Sequence, residues 1–236
     1  MRLSRLAALG GVVGPALFTV AWLTGSLRQA GHPAAQIQLS GLAADDARDP
    51  QIMMAGFVVL GVCSIGFGVA LDRVISPRSA GPWLVVTAGV ATVAAGLFRR
   101  DHLLLAGPGF TGESWHNQVH DVASGVAYAA MLAAPLVLGL RLRRQPGWAP
   151  VIRPVLVLAL VSAATLALFA SRAVEPWNGV VQRAAVTLAL AAEVLIAARM
   201  LTLQRRAGAL DPRPGRNHAG NAVSAQQRGS LGREDP

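Results

Sequence analysis

Apolar residues along this chain fall into six long runs separated by short polar connections. Each run approaches the roughly 20 residues that an α-helix needs to cross a hydrocarbon core about 30 Å thick. The runs predict helices over Leu6–Leu27, Gln51–Leu71, Gly81–Phe98, His116–Leu140, Pro154–Ser171 and Gly179–Met200. The expected fold class is therefore all-α, an integral membrane bundle of six transmembrane helices filling residues 1–202. From about Leu203 the periodic apolar positions stop and Arg, Gly, Pro, Gln and Ser take over, so residues 203–236 read as a disordered, basic cytoplasmic tail that cannot bury enough surface to offset its ordering entropy. The first run follows Arg2 and Arg5 as a signal peptide would, but it is longer than an h-region and ends in Ser26-Leu27-Arg28-Gln29 without a small-residue cleavage site, so it is expected to stay as a helix. Gly10 and Gly14 on that helix have the spacing that lets a second helix approach closely.

Composition supports lipid as the solvent. Charged residues make up only 14% of the 236 residues, against about a quarter in a soluble domain, and the mean hydropathy is +0.46. The net charge of +9 is carried entirely by arginine, much of it between apolar runs or in the tail. That placement fits a positive-inside topology better than nucleic-acid binding, and no nucleic-acid partner is expected. Counting arginines on the two sides gives 15 with the N-terminus, the second and fourth loops and the tail, including Arg73, Arg78, Arg141 and Arg144. The other side has 6, among them Arg28, Arg99, Arg100, Arg172 and Arg183. A plasma-membrane protein with both termini cytoplasmic is the expectation, with Trp83 and Trp177 as interfacial anchors. Cys63, the single cysteine, lies inside an apolar run and reads as a packing residue.

Polar chemistry collects at the start of the fourth helix, in Ser114-Trp115-His116-Asn117-Gln118-Val119-His120-Asp121, with Ser124 and Tyr128 following. At about 100° per residue, His116, Asn117, His120, Asp121, Ser124 and Tyr128 share an arc of about 140°. Lipid penalises exposed polar groups, so this wedge is expected to face the bundle interior or a wet cavity, with Val119, Val122, Ala123 and Val126 on the other side. His116 and His120, at i and i+4, present two imidazoles to one point in space, as in helical zinc sites. Asp101 supplies an oxygen donor from the preceding loop, with His32, His102, Glu113 and Asp121 as further candidates. A divalent metal held by His116, His120 and Asp101 is one reading, and a hydrogen-bonded or ligand-binding network is the other. Asp101 also follows Arg99 and Arg100, an arrangement that suits a surface ion pair. Arg183 sits about one turn inside the last helix, where it needs an anionic ligand or a partner such as Asp101, Asp121 or Glu175. Glu193, deeper on the same helix, suits an interhelical hydrogen bond.

The order of four short motifs resembles the DUF 998 family, a group of mostly bacterial multi-pass membrane proteins of unknown function. The motifs are Ser40-Gly41-Leu42, Phe98 with Asp101, Ser114-Trp115-His116 with His120, and Gln182-Arg183. Ala43 stands where the family pattern has glycine. The resemblance runs from about Leu6 to Met200 and implies that Asp101, His120 and Arg183 are recurrent polar positions; it implies no reaction.

No P-loop, Rossmann glycine pattern or nucleophile elbow is present in the chain. Two functions follow from the polar cluster, and the residues leave open whether the protein is an enzyme. The first is a lipid or small ligand bound in an outer-face pocket of Asp101, His116, His120, Asp121, Ser124 and Arg183. The second is a metal-dependent membrane hydrolase acting on a lipid-like substrate.

Overall fold

The computed structural model describes residues 2–75, 79–104, 114–171 and 173–210. Glu113, Arg78, Arg172 and residues 211–236, which figured in the sequence reading, lie outside the described residues. Six helices follow one another: α1 (Arg2–Arg28), α2 (Gln51–Asp72), α3 (Ala80–Leu97), α4 (Trp115–Leu142), α5 (Ala149–Ala170) and α6 (Asn178–Leu210). Among the described residues there is no strand. All six helices are long and apolar enough to cross a membrane, and the chain is a multi-pass membrane protein.

The largest departures from the expected boundaries are the start of α5 and the end of α6. α5 starts at Ala149, not Pro154, with a proline in its first turn, where the missing N–H is one of the helix's unpaired donors anyway. α6 continues to Leu210 through Gln204-Arg205-Arg206-Ala207, all good helix formers, so residues 203–210 of the expected tail are helical. The chain divides into a bundle, Met1–Leu203, and a second unit, Gln204–Pro236, whose described part is the last turns of α6.

Large apolar side chains remain uncovered on the outside of the bundle. On α1 they recur every three or four residues, at Leu6, Leu9, Val13, Leu17, Val20, Leu23 and Leu27. Val157, Leu160, Val161 and Leu168 do the same on α5. Faces of this extent would be unfavourable in water and are natural against hydrocarbon.

Inside, close backbone approach replaces the hydrophobic effect as the organising force, because lipid is as apolar as a leucine core. A methyl group added at Gly61 of α2 would lie 2.5 Å from the Gly89 carbonyl oxygen of α3, and one added at Gly89 would lie 2.7 Å from that of Gly61. Gly68 meets Pro82 and Gly96 meets Met54 and Phe57 in the same way, seven residues further along each antiparallel helix. Gly10 and Gly14 seat α1 on α2 at Cys63, which fixes the cysteine as a packing residue. Two apolar clusters fill the bundle. One joins Phe67, Leu71, Leu138, Leu142, Ile152, Ile196 and Met200. The other gathers Phe18, Met53, Leu60, Leu103, Val186 and Leu190 around the connection between α1 and α2.

The middle of that connection, residues 37–44, is itself core. Ile37, Leu39, Leu42, Ala43 and Ala44 are all buried. Non-helical backbone at such a depth survives only if its polar groups are met by protein. The Gln29 carboxamide closes the neck of the loop, donating to the Gly25 and Arg48 carbonyls and accepting from the Arg48 amide. The Asp45 amide donates to the Arg100 carbonyl and the Gly179 amide to the Ala35 carbonyl. The end of the bundle that holds this loop also holds the α3–α4 connection and the start of α6, and the polar side chains gather there.

Candidate functional site

The junction of α3 and α4 is tied by reciprocal capping. Ser114 is the N-cap of α4, and its hydroxyl accepts from the Asn117 amide. Asp101 receives both the Ser114 amide, at 2.7 Å, and the Ser114 hydroxyl, at 2.5 Å. These two bonds, the hydroxyl's first, hold the Asp101 carboxyl below the usual aspartate range. In return His120 of α4 places Nδ1 2.8 Å from the carbonyl oxygens of both Ala95 and Phe98, at the end of α3. Carbonyls only accept, so Nδ1 carries the proton and the imidazole caps the C-terminus of the neighbouring helix. His120 is fully buried, its ring edge-on to Phe57.

The polar wedge is thereby divided. Asn117 and His120 point into the bundle together with Ala123, which helical phase had put on the lipid side. His116 is exposed in the first turn, its Nδ1 3.0 Å from the Ser114 hydroxyl and its ring against Trp115. The first turn extends past the packed part of the bundle, so position on the helical wheel does not decide burial there. His116, His120 and Asp101 accordingly do not converge. Among the described residues no group of three His, Cys, Asp or Glu side chains stands where it can hold a metal ion.

Neither arginine expectation matches the observed partners. Asp101 does not pair with Arg99 or Arg100; Arg99 instead reaches Asp45 at 2.8 Å. Arg183 does not line the cavity described below and, among the described residues, has no carboxylate partner. Its guanidinium donates to the Ala34 and Ile37 carbonyls and to the Ser26 hydroxyl, and it lies over the Trp22 ring. The fork of donors suits this role, binding α6 to the buried loop and to α1. Glu193 accepts from the Ser64 hydroxyl across α6 and α2 at 3.0 Å.

The side chains that enclose space are others. A cavity of about 390 Å³ opens between α4, the end of α5, the start of α6 and the buried loop, walled by Gln38, Ser40, Arg100, Asp121, Ser124, Gly125, Tyr128, Phe169, Ala170, Asn178 and Gln182. Its size is that of small-molecule sites. Arg100 donates to Gln38 Oε1 at 3.1 Å and to the Ser40 hydroxyl at 3.3 Å. Its Nε is 4.0 Å from Asp121 Oδ1, too far for a hydrogen bond. Gln182 fastens another wall, accepting from the Leu39 amide and donating to the Tyr128 hydroxyl. Three wall residues, Gln38, Arg100 and Asn178, are 4%, 5% and 6% exposed, and each carries a polar atom without a hydrogen-bond partner: Gln38 Nε2, Arg100 Nε and Asn178 Oδ1.

The model of a family described as protein of unknown function (DUF998) matches residues 12–199. The chain belongs to the DUF998 family. No curated protein and no solved structure matches it. The four motifs that suggested the family meet at this end of the bundle. Ser40 and Gln182 wall the cavity, Gly41 backs onto the Leu103 carbonyl, Phe98, Asp101, Ser114 and His120 tie α3 to α4, and Arg183 secures the loop. Most DUF998 motif residues thus build the frame of the cavity. Of the residues expected in a pocket, Asp121 and Ser124 line it. Arg100, Gln38 and Asn178 were missed because each sits in a connection or at a helix end, where periodicity carries no signal; the one available hint was that two adjacent arginines end an apolar run.

Proposed function

We propose that this DUF998 protein binds a polar ligand, a small molecule or the head of a lipid, in the cavity of Arg100, Asp121 and Asn178. The observation that carries the reading is the cavity of about 390 Å³ whose wall holds both the Arg100 guanidinium and the Asp121 carboxylate, 4.0 Å apart. Charged and amide side chains lining a cavity of small-molecule size suit a polar occupant. The arginine distribution further supports placement in the plasma membrane with both termini cytoplasmic and the cavity near the outer surface. The partners of this reading are the bilayer and the ligand.

Gly125 provides the test. It lines the cavity, and a methyl group added there meets nothing within 4 Å, so Gly125→Phe is expected to fold and to fill the space. Mass spectrometry of protein extracted with its native lipids should find a bound species in the unaltered chain that is depleted at least tenfold in Gly125→Phe and in Arg100→Gln. Equal bound content in all three preparations, with unchanged melting temperatures, would overturn the reading.

A further inference from the structure

The two charges on the cavity wall differ in what they offer to an occupant. The Arg100 side chain is 6% exposed and that of Asp121 46%. Arg100 spends its guanidinium on Gln38 and Ser40, at 3.1 and 3.3 Å, and so fastens the buried loop to the end of α3. Asp121 accepts from the Asn117 carboxamide at Oδ2, at 3.0 Å, and lines the cavity as a half-exposed carboxylate. Coulomb attraction falls with distance, so an occupant touching that carboxylate feels Asp121 more strongly than the buried guanidinium behind it. The accessible charge of the cavity is therefore negative, which favours a positively charged occupant.

Two aromatic residues belong to the same wall, Tyr128 from α4 and Phe169 from α5, both half-buried. Gln182 donates to the Tyr128 hydroxyl at 2.7 Å and so holds that ring in place. Aromatic rings beside a carboxylate suit an organic cation, which is attracted to ring faces as well as to the opposite charge. The oxygens of the wall narrow the class further. A primary ammonium brings three N–H donors that need acceptors, whereas Asp121 Oδ2, Gln38 Oε1 and the Tyr128 hydroxyl already accept from Asn117, Arg100 and Gln182. A fully methylated ammonium brings no N–H, and its methyl groups suit the apolar part of the wall at Phe169 and Ala170.

Resting on the ligand-binding reading, we propose that the cavity recognises a quaternary ammonium group, set against the Asp121 carboxylate and the rings of Tyr128 and Phe169. A free choline-like cation and the choline head of a lipid share that chemistry. Arg100 contributes by holding the loop-side wall, so the depletion expected in Arg100→Gln follows from the wall and not from a lost contact to the ligand. No bond is made or broken.

Choline and 3,3-dimethylbutanol have nearly the same shape and differ in charge, because a carbon replaces the nitrogen. Each is titrated by calorimetry against the full chain in dodecylmaltoside micelles. Choline is expected to bind saturably and about tenfold more tightly than the alcohol, and Asp121→Asn should remove that advantage while leaving the alcohol's affinity unchanged. Phe169→Leu should weaken choline about threefold. Melting temperatures of both variants check that they are folded. Repeating the titration with phosphatidylcholine added to the micelles assigns the source: an apparent choline affinity that falls about tenfold identifies a lipid head, and one that stays the same identifies a free cation, since only a lipid head competes for the cavity from the micelle. Equal binding of choline and the alcohol overturns the proposal, as does a choline affinity untouched by Asp121→Asn. So does the lack of saturable choline binding in protein from which no choline lipid copurifies. The native-lipid comparison with Gly125→Phe reports separately on whether the cavity holds a ligand of any kind.

Discussion

Asp101 and Arg183 show how the same residue types can serve a frame as readily as a site. Arg183 meets three oxygens that the chain itself presents, so its charge is consumed in closing the loop. Arg100 meets two and also lines the cavity. Asp101 belongs with the frame, and its chemistry yields a pH prediction. Its carboxyl is held below the ordinary aspartate range by the Ser114 hydroxyl and amide. A depressed folded-state value means that the stabilisation is complete above the unfolded pKa, about 3.9, and is lost as pH falls through the lower folded value. The melting temperature of the unaltered chain should therefore exceed that of Asp101→Asn at pH 7, and the gap should narrow once the pH drops below about 4. A gap that stays constant to the lowest accessible pH would show that the bond geometry, not the ionisation, is what stabilises the junction.

Glycine spacing is the organising device among the elements. Gly61 on α2 faces Gly89 on α3, and Gly68 and Gly96 press on Pro82 and Phe57, so closely that a methyl group has no room. Replacing Gly61 by alanine should push the two helices apart and destabilise the bundle by about 1–3 kcal/mol, as overpacking does elsewhere. Gly66, five positions after Gly61 on α2, has open space around it. Gly66→Ala should be neutral or should stabilise by up to about 1 kcal/mol through helix propensity alone. Thermal unfolding of the two variants in the same detergent checks the pair, and similar losses in both would refute the close-approach account. The i and i+4 histidines of α4 are a different case: their spacing is real, yet one caps a neighbouring helix and the other stands in an exposed first turn. Spacing within one helix cannot reveal that, because the partner atoms are main-chain carbonyls of another helix and leave no trace in the pattern of residue types.

At the scale of the whole molecule, the buried loop, the α3–α4 junction and the cavity share one end of the bundle, the end that the proposed topology turns outward. The orientation is testable because Cys63 is the single cysteine. In a Cys63→Ala background, Ala30→Cys in the buried-loop connection should react with a membrane-impermeant maleimide in intact cells. Arg144→Cys, between α4 and α5, should react only after permeabilisation. The reverse labelling would invert the topology and turn the cavity toward the cytoplasm.

The number of helices, their approximate limits, the membrane as solvent and the family were all legible in the linear sequence, because each depends on the local density and order of apolar and charged residues. α5 and α6 were misplaced by several residues only where proline and a polar helical extension blurred that density. The cavity was not legible. Asp121 and Ser124 were found through their phase on α4, but Gln38 comes from a loop that looks like a surface connection and is in fact core, Arg100 from a helix end, and Asn178 from the first residue of α6. The tertiary structure alone decided that these three share a cavity while Arg183 and the two helical histidines do not. The physical reason is that pairing of buried polar groups is settled by main-chain donors and acceptors far away in the chain, and those are present at nearly every residue and so carry no sequence signal.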